Sequence, residues 1–243
     1  MNINRTYLLV ALVQIAFWGS TTFAFDPGLS GVSPECLHEC ETALGTVGEN
    51  KSAEPLLALL RKYPTNLEQA HLEVNTGIVY GQRTGVVDPE KAVEHFTAAL
   101  RYELPERTYI QVLMWRGNSQ EQLKKQKESL RDYLRGLLAC SYYDLSGGWP
   151  EIKIPTNPML MNSPDPENTT RVRDYNMYRK RLDFQQFLFT QRFFFIDAVK
   201  RVTSGSSVGQ AEILDALNDL SPDSTRTKIV IEWLNSENKR PWP

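Results

Sequence analysis

From Ser33 onward the apolar residues recur at helical spacing, and the strict alternation of a half-buried strand is scarce. Ser33-Pro34-Glu35 sets a capping side chain, a proline and an acid at a helix start. That helix is predicted to run to about Leu44, with Gly45 and Gly48 ending it. A second spans about Ala53 to Tyr63, carries Leu56, Leu57, Leu59 and Leu60, and stops at Pro64. Asn66 caps a third, from Leu67 to about Gly81. Asp88-Pro89-Glu90 opens a fourth, to Tyr102, stopped by Pro105. A fifth covers Glu106 to Trp115. Ser119 and Gln122 have capping-box spacing and start a long sixth helix to about Leu145. Its Leu123, Leu130, Leu134, Leu137 and Ser141 follow a heptad-like rhythm.

The pattern then breaks. Residues 146–168 hold five prolines, which exclude helix and central strand. Trp149, Ile152, Ile154, Met159, Leu160 and Met161 make this stretch too apolar for pure disorder, so it reads as a strap lying partly on the helical surface. A long helix follows, from Arg171 to about Thr203, capped by Asn168 or Thr169 and closed by Gly205. Its start is basic and its second half is aromatic almost all round, which implies burial on more than one side. Two shorter helices, about Gly209–Leu220 and Pro222–Asn235, complete the chain.

Two of the segments echo each other. Ala58, Leu60, Arg61 and Pro64 correspond to Ala98, Leu100, Arg101 and Pro105, an offset of 40 to 41 residues. A period of that length on a helix–turn–helix unit marks an α-solenoid. Residues 66–105 carry the fullest unit. Gly77, Tyr80, Ala92, Phe96, Ala99 and Pro105 resemble the tetratricopeptide repeat. The connector is longer than that repeat allows, and Gly85, Val86, Asp88, Lys91 and Ala92 are similar to the related Sel1-like repeat, although Thr76 stands where that pattern has leucine. Segments 33–64 and 106–145 share the layout but few of the letters. Small Gly77, Ala92 and Ala99 suit close helix crossings, with Tyr80 and Phe96 filling the space between. The resemblance implies protein–protein binding through the concave face of an array.

The segment ahead of these helices has its own character. Arg5 precedes an apolar run from Tyr7 to Trp18, and Thr22 and Ala24 are small at the −3 and −1 positions of a signal-peptidase site. The expected division is therefore a signal peptide at 1–24, a helical-repeat domain at 25–145, the proline-rich strap at 146–168 and a C-terminal helical region at 169–243. Export to a periplasmic, envelope or secreted location follows, with no transmembrane segment after cleavage. Without Arg5 the chain carries 26 basic and 29 acidic residues, a formal charge of −3, and nothing in that balance points to nucleic acid.

Candidate chemistry is thin. Cys36, His38 and Cys40 lack the spacing of haem attachment, and at about 100° per residue His38 faces away from Cys36. One cysteine is expected in the core, and Cys140 is expected to bond Cys36 or Cys40. His71 and His95 fall inside repeat helices with no nucleophile turn or phosphate loop to serve. No cofactor, metal or catalysis is expected. Residues 169–205 hold eight Lys/Arg against three Asp/Glu. There Arg171, Tyr175, Tyr178 and Leu182 share a face expected to be inward. Arg173 and Lys180 lie opposite, with Arg179 and Arg181 on the flanks. That outward group is the candidate for docking an acidic protein or an anionic envelope polymer; a solvated helix face is the plainer reading. The expectation is an all-α, exported interaction scaffold: a short helical-repeat array with a C-terminal long helix and helical hairpin. A helical enzyme or small-ligand binder with a pocket under the strap, and a structural envelope protein, are the alternatives.

Overall fold

The computed structural model describes residues 31–82, 85–145, 166–204, 210–221 and 223–236; within these spans the side chains at 143–145, 166–179, 181 and 182 lie outside the description. The expected signal segment, nearly all of the strap and the start of residue 25's domain are likewise outside the described residues. What is described is all-α. The helices are α1 (Pro34–Asn50), α2 (Glu54–Lys62), α3 (Asn66–Gln82), α4 (Pro89–Ala99), α5 (Glu106–Gln122), α6 (Gln126–Leu145), α7 (Pro166–Ser204), α8 (Gln210–Leu220) and α9 (Ser224–Asn235).

Each helix from α1 to α6 packs on its successor, and α1, α3, α5 and α7 also touch in sequence as one layer. α2, α4 and α6 form the second layer, and α9 lies against α6 and α7. The central helices α3 and α5 are therefore covered by neighbours on several sides, and even their polar residues Asn75, Thr76, Thr108 and Ser119 are buried. One core cluster spans α1 to α5 around Leu56, Leu72, Val79 and Phe96. A second joins α5, α6, α7, α8 and α9 around Tyr133, Leu137, Phe195, Leu217 and Val230. Met114 on α5 touches both.

Several helix boundaries differ from the sequence reading, among them the ends of α1, α4 and α5 and the starts of α6 and α7. α1 runs straight through Gly45 and Gly48 and stops only at Lys51, which is left-handed at φ 50° and donates its N–H to the Val47 carbonyl. Glycine in a helix costs only about 0.5–1 kcal/mol, which the buried face of Cys36, Cys40, Ala43 and Val47 offsets. α5 continues to Gln122, because Ser119 is not a cap: it is buried in the helix interior with its hydroxyl donating to the Trp115 carbonyl. The break comes at Lys124, φ 59°, whose N–H bonds the Glu121 carbonyl while that of Lys125 bonds Gln120. This is a helix-ending pair of reversed bonds without glycine. α7 begins at Pro166, inside the segment expected to be strap.

Aromatic rings seated on glycines hold successive helices close. A Cβ built on Gly77 of α3 would stand 2.7 Å from Cδ1 and Cε1 of Phe96 in α4. The contact recurs 40 residues on, where a Cβ on Gly117 of α5 would stand 2.5 Å from Cε1 of Tyr133 in α6. It recurs again at Gly136 of α6, 2.5 Å from Cε1 and Cε2 of Phe195 in α7. Polar ties run alongside. Arg116 grips Asp132 with Nε at 2.7 Å and Nη2 at 2.6 Å, and its Nη1 donates to Thr97 at 3.1 Å, joining α4, α5 and α6. The Tyr133 hydroxyl lies 2.9 Å from both Asn118 Oδ1 and Glu121 Oε2, and Arg201 of α7 donates to Glu121 at 2.7 and 2.9 Å. At the other end of the array Glu68 of α3 accepts from Ser33, the cap of α1, and from Thr65, each at 2.6 Å.

Candidate functional site

α6 buries Ser129, Leu130, Asp132, Tyr133, Leu134, Leu137, Leu138, Cys140 and Ser141, which leaves one narrower stripe turned to solvent. That face carries Lys127, Glu128, Arg131 and Arg135, all exposed, and ends at Tyr142, 49% exposed. At about 100° per residue these positions, with Ala139, fall in one stripe. Lys124 and Lys125 are exposed in the turn just before it. Arg131 meets Asp219 of α8 at 3.1 Å, but both side chains are more than half exposed, so this pair neutralises little of the surface. Arg135 stands 3.7 Å from Asp132, whose carboxylate is already committed to Arg116. Among the described residues Lys124, Lys125 and Lys127 make no salt bridge. Neighbours one turn apart are closer than the ~8 Å screening length at physiological salt, so their fields add.

The stripe runs into a cleft. Leu104, Glu106, Tyr109, Ile110, Ala139, Tyr142 and Arg226 line an open depression of about 290 Å³ where the start of α5, the end of α6 and the start of α9 meet. Leu104, Ile110 and Ala139 supply apolar surface, and Tyr109, 36% exposed, faces the rim with Tyr142. The Arg226 guanidinium sits 4.5 Å from the centre of the Tyr142 ring, and its Nε lies 3.3 Å from the Asp223 carboxylate. The site thus combines a positively charged helix face with a small aromatic and arginine-rimmed hollow at one end.

The residues singled out in the sequence are distributed elsewhere. Gly77, Tyr80, Ala92, Phe96 and Ala99 all lie in the α3–α4 contact; Ala92, Phe96 and Ala99 are fully buried, and Phe96 stacks on Trp115 at 6.0 Å. Tyr80 stacks on His95 at 5.5 Å, and His95 Nδ1 is 2.6 Å from Glu73 Oε2. His71 is buried, which pushes its imidazole pKa down to about 4. Lys180 is exposed on α7, whereas the side chains of Arg173, Arg179 and Arg181, and those of Arg171, Tyr175, Tyr178 and Leu182, lie outside the described residues.

The expected bond from Cys140 to Cys36 or Cys40 is corrected. Cys36 and Cys40 are free thiols in the first core cluster, and Cys140 is buried in the second, on a helix that does not touch α1. Burial holds the two thiols up at about 11 for Cys36 and about 12 for Cys40, so neither is a nucleophile near neutral pH. Among the described residues no three His, Cys, Asp or Glu side chains gather as a metal site, and no described helix is long and apolar enough to cross a membrane.

Compared with models of protein families, with curated proteins and with solved structures, the chain matches none of them. The α6 face was nonetheless visible in the letters "LKKQKESLRDYLR", whose Arg131 and Arg135 sit about 100° round the helix from Leu130 and Leu134. The cleft had no sequence signal, because Tyr109, Tyr142 and Arg226 come from three helices up to 117 positions apart.

Proposed function

We propose that this chain is an exported interaction scaffold that performs no chemistry of its own and binds an acidic partner protein. The observation that carries the reading is the solvent face of α6, where five basic side chains from Lys124 to Arg135 lead into a cleft rimmed by Tyr109, Tyr142 and Arg226. Tyrosine and arginine are the side chains that concentrate binding energy in protein interfaces. A rigid two-layer helical array holds them in fixed relation, which lowers the ordering cost of association. The resemblance of residues 66–105 to tetratricopeptide and Sel1-like repeats supports the same class of role, and the apolar run ahead of Thr22 and Ala24 supports export.

The test is affinity capture from the native extract with the parent and a Lys127→Glu, Arg135→Glu variant, at low and moderate salt. The parent is expected to retain a discrete acidic protein that salt releases and the variant fails to hold. Equal capture by both proteins under all conditions, or turnover of a small molecule by the purified chain, would overturn the reading.

A further inference from the structure

The α6 face and the cleft are one surface. Arg135, Ala139 and Tyr142 lie within about 60° of each other around the helix and within two turns along it. Ala139 forms part of the cleft wall, so the last basic residue stands a single turn from the hollow. We propose, resting on the scaffold reading above, that this surface recognises an acidic peptide segment bearing one bulky apolar side chain, which seats between Tyr109 and Tyr142 while its carboxylates lie along Arg135, Arg131 and Lys127.

The dimensions select that ligand. A volume of about 290 Å³ is at or below the lower limit of pockets that enclose a whole small molecule, which run from roughly 300 Å³ upward. It accepts one large side chain whose backbone stays outside. Leu104, Ile110 and Ala139 give the lining an apolar part that suits an apolar side chain. On the rim the Arg226 guanidinium lies over the Tyr142 ring, with the Asp223 carboxylate 3.3 Å from its Nε, so that ring has less freedom to lose when covered. Charge sets the direction. Among the described residues Glu106 is the one acidic side chain on the cleft wall, and it comes from α5; the basic stripe leaves on the α6 side. The acidic part of the partner must therefore extend from the anchor toward the start of α6, over Arg135 and Arg131, and away from Glu106.

The experiment uses a fluorescein-labelled peptide of alternating Glu and Ser with one terminal Phe, the same peptide with Ala in place of Phe, and a Lys-for-Glu peptide. Anisotropy is measured with the full chain at low and moderate salt. The Phe peptide is expected to bind about tenfold more tightly than the Ala peptide, and the Lys peptide is expected not to bind. Tyr142→Ala should erase the Phe advantage, so that the Phe and Ala peptides bind it alike, and Tyr142→Phe should keep that advantage. Lys127→Glu, Arg135→Glu should weaken both acidic peptides at least tenfold. Equal affinity of the parent for the Phe and Ala peptides overturns the anchor cleft while leaving the basic face, and with it the scaffold reading, standing. No binding of either acidic peptide at low salt overturns both. A dimer in sedimentation that Tyr142→Ala dissociates assigns the cleft to a second copy of the chain and also overturns the proposal.

Discussion

The same substitution, glycine to alanine, should have opposite signs at two positions of this fold. Gly45 is exposed in the middle of α1, and nothing lies within 4 Å of where a Cβ would stand. Alanine there removes backbone freedom from the unfolded chain and should stabilise by about 0.5–1 kcal/mol. Gly136 in α6 would gain the same increment, but its new methyl would stand 2.5 Å from Cε1 and Cε2 of Phe195. Phe195 is fully buried and is itself flanked by Tyr133 at 6.2 Å and Phe194 at 5.7 Å, so the ring has no room to retreat. Overpacking costs typically 1–3 kcal/mol. The net for Gly136→Ala is a loss of about 1–2 kcal/mol. For a chain of this size, 1 kcal/mol corresponds to roughly 2–4 °C. Far-UV melts should therefore show Gly45→Ala rising by about 1–4 °C and Gly136→Ala falling by about 2–8 °C. A shorter partner should relieve the strain, so Phe195→Leu should cost less in the Gly136→Ala background than in the parent. Shifts of the same sign at both glycines, or independent effects of Gly136→Ala and Phe195→Leu, would refute the ring-on-glycine account.

Three further expectations follow from buried groups. Asp132→Ala leaves the Arg116 guanidinium buried without its carboxylate, and should cost about 3–5 kcal/mol in urea unfolding, where a loss under 1 kcal/mol would contradict the pairing. His71 is held neutral by burial with a folded pKa of about 4, so the unfolded chain takes up its proton first. The stabilisation is complete above the ordinary value near 6.5 and is lost as pH falls through that window toward 4, by about 3 kcal/mol in total. His71→Gln should flatten that part of the stability–pH curve, and an unchanged curve would discount the burial. Cys36 and Cys40 should resist alkylation at pH 8 while folded, and both should label in one tryptic peptide after unfolding without reductant.

The caps at Ser33 and Asp88 were legible because a short oxygen side chain next to proline satisfies orphan helix N–H groups: Cys36 donates to Ser33 Oγ at 3.3 Å and Lys91 to Asp88 Oδ1 at 3.1 Å. The heptad face of α6 was legible for the same local reason. Gly45 and Gly48 misled because local propensity is worth less than the four buried residues on the same helix. Ser119 and Gln122 misled because a capping-box spacing says nothing of whether the serine is at an end, and here its hydroxyl bonds back along the helix. The true break, a left-handed lysine, carries no glycine to announce it. The candidate site was half legible. A basic stripe beside a row of leucines is a periodicity, but the hollow formed by Tyr109, Tyr142 and Arg226 exists only once α5, α6 and α9 are assembled.

Glu68 fixes where the array begins. Its carboxylate closes the cap of its own helix through Thr65 and accepts from the serine that caps α1, so two parallel helices share a single anion at their positive ends. Those hydrogen bonds hold its pKa below the usual carboxylate value. Sliding α1 by one turn along α3 would strand the carboxylate from Ser33, so the pair works as an alignment pin for the first unit. Protonation weakens the grip on both caps at once. Acid should therefore loosen the terminal unit ahead of the interior ones, and the array should come apart as a zipper does, from a defined end.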